Sequence, residues 1–297
     1  MESTIDRKAA ALEAAEAWAE RQPHWVEPFE PFRIIGNLYY VGTQGLAVYL
    51  ITDYIGHAIS GAEYAAVVID GGMAGNEQII IDNIAKLGFD IKDVKYLLNT
   101  HAHFDHSGGL AKLKTASNAE LTAAEGDVSA LEGGFYLGFE QQTEYFAPPV
   151  TVDKSFKNDE DLLIFPIGNA ALTGVVTPGH SRGCTSWRLS IEDNGEEYEV
   201  LIFCSATVAL NSLVPKQYDG IVGDYRYTFE TTKEWKPDVF LANHPEVFYM
   251  KETREKQKAG DPLAFVNRGA FQRYIRAKER AFERAFAEQQ AAASDQE

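Results

Sequence analysis

The sequence predicts an α/β protein, a four-layer αβ/βα sandwich in which two mixed β-sheets face each other and helices cover their outer sides. Three observations predict it. Apolar, β-branched and aromatic runs of strand length form one block from Phe32 to Gly72 and a second from Asp161 to Ala206. Helix and strand patterns alternate after the first block, and helices are expected at both chain ends. Two sheets, each apolar on its inner side, bury those sides against one another and leave the outer sides for helices.

In chain order, residues 6–21 are rich in Ala, Glu and Leu and are expected to form a helix, with Leu12 and Trp18 on its apolar face and Pro23 closing it. The runs "FRIIGNLYYVGT", "LAVYLITD" and "YAAVVIDGG" read as strands punctuated by glycine and asparagine turns. Residues 76–87 have helical spacing, closed by Gly88. "VKYLLNT" is a short buried strand, a short helix continues from Gly108 and Gly109 through Leu113, and another helix is expected around Ala123 to Leu131.

The segment from Gly133 to Pro149 has many glycines and aromatics and no clean period; it reads either as a surface connection or as a flap that grips a substrate. Four strands follow, "DLLIF", "ALTGVVT", "TSWRLSIED" and "YEVLIFCSA", then a helix near Tyr225 to Trp235 and the strand "DVFLANH". The last long helix places Phe271, Tyr274, Ile275, Phe282 and Phe286 on one side. With no internal repeat and no Pro/Ser-rich linker, the expected organisation is an N-terminal helix and lead-in over 1–31, a single domain over 32–290, and a frayed tail over 291–297.

Composition narrows the function. The 297 residues carry 44 Asp and Glu against 27 Lys and Arg, a formal net charge of −17, so the mean field repels a phosphate backbone and nucleic acid is not an expected partner. No run approaches the roughly 20 apolar residues of a membrane-spanning helix. The N-terminus lacks the cationic start and unbroken apolar stretch of a secretory signal, so the chain as given is expected to be cytoplasmic. Nothing in the sequence sets an oligomeric state. Cys184 and Cys204 are the only cysteines, free to pair or to stay as buried thiols.

The strongest motif is "THAHFDHSGG". His101 and His103, two apart in extended backbone, point the same way and reach one metal ion. Asp105 and His106 follow where the chain turns into a helix and face a second ion, while Gly108 and Gly109 let the backbone pack closely. His180, in "TPGHSRG", and His244, in "LANHPE", each follow a strand and are expected to converge on the same edge. His24 and His57 are left unassigned.

These motifs resemble the metallo-β-lactamase fold superfamily, and the blocks "PFEPFRIIGNLYYVGT", "LGFDIKDVKYLLNTHAHFDHSGGLAKL", "GCTSWRL", "CSATVALN" and "HPEVFYM" resemble the class B β-lactamases of subclass 3. The resemblance implies the metallo-β-lactamase fold and two zinc ions, the first held by His101, His103 and His180 and the second by Asp105, His106 and His244. It implies a small-molecule substrate, a β-lactam, whose amide is attacked by a zinc-activated hydroxide, with Asp105 in the catalytic machinery. Asp70 resembles the supporting carboxylate near the metals, although an aspartate before two glycines is also a common turn residue. Ser205 and Thr207 are candidates for the substrate carboxylate, and Arg182 is a further one.

The resemblance also implies a periplasmic or secreted location if a signal has been removed. Lactonases and thioesterases of the superfamily are the alternative, but many carry a metal-bridging aspartate that is absent between Leu201 and Leu210. Cys204, with apolar neighbours, reads as a buried strand cysteine rather than a ligand.

Overall fold

The structure is a computed structural model that describes residues 6–54, 64–157, 163–167 and 170–295; His57 lies outside them. The chain starts with α1 (Arg7–Arg21), capped by the Asp6 side chain, which accepts from the Ala9 N–H. Its inward face is Ala11, Ala14 and Ala15, whereas Leu12 is 38% exposed. The expected apolar face is therefore rotated: small alanines let the helix lie close, and Trp18 alone of the predicted pair turns inward, against Trp25 and Phe104.

The first sheet contains β1 (Phe32–Ile35), β2 (Leu38–Tyr40), β3 (Tyr49–Tyr54), β4 (Tyr64–Ile69), β5 (Val94–Leu98), β6 (Glu120–Ala124) and β7 (Lys154–Phe156), in that spatial order. β1 to β4 run antiparallel, and β4 to β7 are parallel neighbours. Parallel neighbours need crossovers, supplied by α2 (Glu77–Lys86), by α3 (Phe104–Ser107) with α4 (Leu110–Ser117), and by α5 (Glu125–Gly133).

Side chains alternate as a pleated strand requires. Val48, Leu50, Ala66, Val68 and Leu97 pack outward with Ile80, Ile84, Leu110 and Leu113 of the helices. Tyr49, Ile51, Val67, Ile69 and Leu98 pack inward with Trp187, Leu189 and Leu172 of the second sheet.

That second sheet has the order β12-β11-β10-β9-β8, from β8 (Leu163–Ile167), β9 (Ala170–Val176), β10 (Thr185–Asp193), β11 (Glu196–Phe203) and β12 (Val239–Ala242). Only β11 and β12 pair in parallel, joined through α6 (Ile221–Thr232). α7 (Met250–Lys258) and α8 (Ala270–Ser294) complete the chain, and Phe271, Ile275 and Phe282 of α8 are buried in the main core. The two mixed sheets with helices outside are the predicted sandwich.

Two local expectations are corrected. Residues 120–124 are a strand, so the helix expected around Ala123 to Leu131 begins only at Glu125: Leu121 to Ala124 are all buried between β5 and β7, and that burial outweighs the helix propensity of alanine. α8 runs to Ser294, so the expected tail begins as helix, consistent with its run of three alanines.

Candidate metal centre

The histidine cluster follows β5, and its loop is held by Asp70, at the end of β4. Asp70 adopts φ +66°, and its Oδ1 accepts from Thr100 N at 2.6 Å and Asn99 Nδ2 at 3.0 Å. Its Oδ2 accepts from Thr100 Oγ1 at 2.7 Å, so that hydroxyl offers only its lone pairs to His101 Nδ1, 3.1 Å away. His101 Nδ1 also faces the Asn243 amide nitrogen at 3.3 Å, and its buried Nε2 has no hydrogen-bond partner among the described residues. Burial pushes the Asp70 carboxyl up to about 6.

The close packing expected of the glycines is present. A Cβ on Gly109 would stand 2.2 Å from Gly71 O, and one on Gly108 would stand 2.4 Å from Ala74 N. Gly71 N donates to His106 O at 2.8 Å, which fixes the turn carrying Asp105 and His106 against the end of β4.

His180 lies beyond β9 and His244 beyond β12, and both reach the cluster. The ligand-capable atoms of His101, His103 and His180 lie within 4.8 Å of one another, as do those of Asp105, His106 and His244. In the second group His106 Nε2 is 3.1 Å and His244 Nε2 3.3 Å from Asp105 Oδ2, and the two nitrogens are 3.2 Å apart. Ligands at about 2.0–2.1 Å around a tetrahedral ion stand about 3.3 Å from one another, so this triangle fits three ligands of one metal position. The rings of His101 and His106 are 4.6 Å apart, which sets the two triads side by side.

Electrostatics suit the same use. Burial keeps His101 and His103 well below the usual histidine range and His180 at about 4, so all three are neutral with a free lone pair. His180 Nδ1 donates to Thr207 O at 2.8 Å, leaving Nε2 for the triad. Burial alone would raise the Asp105 carboxyl, but His106 and His244 hold it well below the carboxylate range, as an anion. His244 is shifted up, because Asp105 outweighs its burial.

The triads open into a cavity of about 260 Å³ walled by Trp18, Trp25, Tyr136, Leu210 and Tyr274. Ser205 and Thr207 line it, with their hydroxyls 3.2 Å apart. Arg182, the third substrate candidate, is not brought to the site. It is exposed, with its guanidinium 4.8 Å over the Tyr218 ring and donating to Asp219 O, since the turn after His180 points it away from the cavity. The cysteines form a disulfide, with Cα atoms 5.8 Å apart, rather than staying free, and Cys204 is no ligand.

Sequence reasoning missed Asp127. Its Oδ2 accepts from Ala102 N at 2.9 Å and Ser181 Oγ at 2.7 Å, and its Oδ1 from Gly183 N at 2.7 Å. One buried carboxylate thus joins the His101–His103 loop to the His180 loop. An aspartate in the first turn of a helix carries no local signal of that role. Tyr136 also lay unassigned within the aromatic segment 133–149, and it forms part of the cavity wall.

The chain belongs to the metallo-beta-lactamase superfamily. Residues 62–193 match that family. Among solved structures the chain is similar to BJP-1, a subclass B3 metallo-beta-lactamase of Bradyrhizobium japonicum, at 43% identity over 93% of this chain and 99% of that one, with a TM-score of 0.84. It is similar to FEZ-1 of Legionella gormanii at 32% identity over 89% and 98% of the two chains, TM-score 0.82. Of curated proteins, an N-acyl homoserine lactonase, AttM of Agrobacterium fabrum, is 27% identical over 50% of this chain and 54% of its own length. The chain spans about half the length of the curated relatives it matches.

Proposed function

We propose that this chain is a metal-dependent hydrolase of the β-lactam amide bond, a subclass 3 type β-lactamase working with two zinc ions. His101, His103 and His180 would hold the first ion, and Asp105, His106 and His244 the second. The observation that carries the reading is the 3.1, 3.2 and 3.3 Å triangle of Asp105, His106 and His244 beside a second triad of neutral histidines. The unpartnered, buried Nε2 of His101 fits such an ion. Nitrogen-rich donors with one carboxylate suit zinc better than hard, oxygen-seeking cations.

Zinc bound there supplies a Lewis acid and a water acidic enough to act near neutral pH. The residues do the rest. Asp70, through Thr100, holds the loop that carries His101, and Thr207 O fixes the tautomer of His180. Asp105 stays ionised on the cavity surface, where as an anion it would help hold the second ion and would accept a hydrogen bond from a reacting water. Ser205 and Thr207 donate hydroxyls to the substrate's carboxylate, while the aromatic walls exclude bulk water.

Among the described residues no helix is long and apolar enough to cross a membrane. A disulfide persists in oxidising surroundings, which supports an exported enzyme over a cytoplasmic one.

The test is hydrolysis of a chromogenic cephalosporin and a carbapenem by purified protein with zinc, beside a chelated sample and a His103→Ala variant. Ring opening that needs zinc and is lost in both controls is the expected result. Protein that holds zinc yet leaves every lactam intact refutes the substrate assignment, and N-acyl homoserine lactones and thioesters are then assayed.

A further inference from the structure

Gly134, at φ +65°, ends α5 and turns the chain sharply; a Cβ there would stand 2.4 Å from Ala147 O. Two residues later Tyr136 lies flat on the imidazole of His103, with ring centroids 3.9 Å apart and planes 14° from parallel. It is 4% exposed. Its hydroxyl is 2.8 Å from Asn211 Oδ1. The Asn211 amide nitrogen faces the carbonyl oxygens of Gly179, at 3.2 Å, and His180, at 3.0 Å, so it must be the donor there. That fixes Oδ1 towards Tyr136, and the phenol donates to it.

The stack and the hydrogen bond therefore run from one histidine of the first triad to the backbone of another. We infer that Tyr136, with Asn211, is a positioning residue for the first metal, setting the plane of His103 and holding the His180 peptide in place. The inference rests on the proposed metal reading and goes beyond its ligand list.

The physical reason lies in what metal binding does to the ring. An imidazole that gives its lone pair to a cation becomes electron-poor, and the electron-rich face of a phenol stabilises an electron-poor partner. Tyr136 favours the metal-bound form of His103 over the free form, and it blocks rotation of the ring out of the triad. Because Tyr136 sits in the loop over the cavity, movement of that loop is also movement of a ligand's support.

The experiment is titration of metal-free protein with cobalt(II) against a competing chelator, reading the visible absorption of the bound ion. It is run on the wild type, Tyr136→Leu and Tyr136→Phe, each also in a His244→Ala background where only the first triad is complete and a His101→Ala background where only the second is.

Tyr136→Leu is expected to weaken the first site about tenfold, the lower end of what supporting residues around ligands contribute. The second site is expected to stay within about twofold and Tyr136→Phe, which keeps the stack but loses the hydrogen bond to Asn211, to recover part of the loss. Equal affinity in the Leu variant overturns the inference. So does an equal loss at both sites with a lowered melting temperature, or a Phe variant no better than Leu. If the wild type takes up no metal, the metal reading itself falls and takes this inference with it.

Discussion

Trp18 donates its indole N–H to the carbonyl oxygen of Glu144 at 2.8 Å, tying the first helix to the loop over the metal cleft. Trp18 forms part of the cavity wall, and its ring is 6.4 Å from Tyr145, next to Glu144 in the same loop. Trp18→Ala removes a wall and the tie together while leaving the triads intact. KM for a chromogenic cephalosporin is expected to rise about tenfold, equivalent to about 1.4 kcal/mol, with a smaller change in kcat. Steady-state kinetics decide it, and a change in kcat alone contradicts it.

Asp127 satisfies three buried donors at once, and alanine leaves all three without an acceptor. Asp127→Ala is expected to lower the unfolding free energy by about 3 kcal/mol, a typical effect of leaving buried donors unsatisfied. Zinc affinity should fall with it, because the loops bearing His101, His103 and His180 lose their shared anchor. Urea unfolding and chelator competition measure the two effects.

In metal-free protein, acid is expected to destabilise the fold from about pH 6.5 downward. The unfolded chain protonates His101, His103 and His180 near the model value of 6.5, whereas burial keeps them neutral in the fold. The unfolded state then binds more protons and stability drops as pH falls. His180, at about 4, contributes about 3 kcal/mol across that window. Asp70, raised to about 6, works in the opposite sense, since its native form gains a proton first. His244 and Asp127, both shifted up, act in the same sense as Asp70; the three histidines outweigh them, and chemical denaturation at pH 7 and pH 5 with chelator present tests the sign.

The Cys184–Cys204 bridge closes a loop with a sequence separation of 20. Loop-closure entropy puts its contribution at about 3 kcal/mol. The Cys184→Ala, Cys204→Ala double variant is expected to melt at lower temperature but still take up metal, because neither sulfur belongs to a triad. Loss of metal uptake in a folded double variant refutes this.

The two clusters of candidate ligands were legible in the sequence, from strand geometry and from the family resemblance together. His101 and His103 share a side in extended backbone, and His180 and His244 each stand just past a strand. Strands were legible wherever apolar alternation was strong, and not at residues 120–124, where Leu-Thr-Ala-Ala has no period of its own and takes its form from β5 and β7.

Long-range partners were not legible. Asp127 reaches residues 54 and 56 positions away, and Tyr136 meets Asn211 across 75. Arg182 was a candidate for the substrate carboxylate, but its place in a loop says nothing of where its side chain points.

The six residues of the two triads are drawn from segments that follow strands of both sheets, four after β5 and one each after β9 and β12. An ion held there is bound by the folded chain and not by the unfolded one, so its concentration enters the folding equilibrium. At a hundredfold excess over the dissociation constant, one site adds about 2.7 kcal/mol. Surroundings that withhold metal therefore lower the quantity of folded protein as well as the work each molecule does. Where such a protein persists is set partly by the supply of an ion.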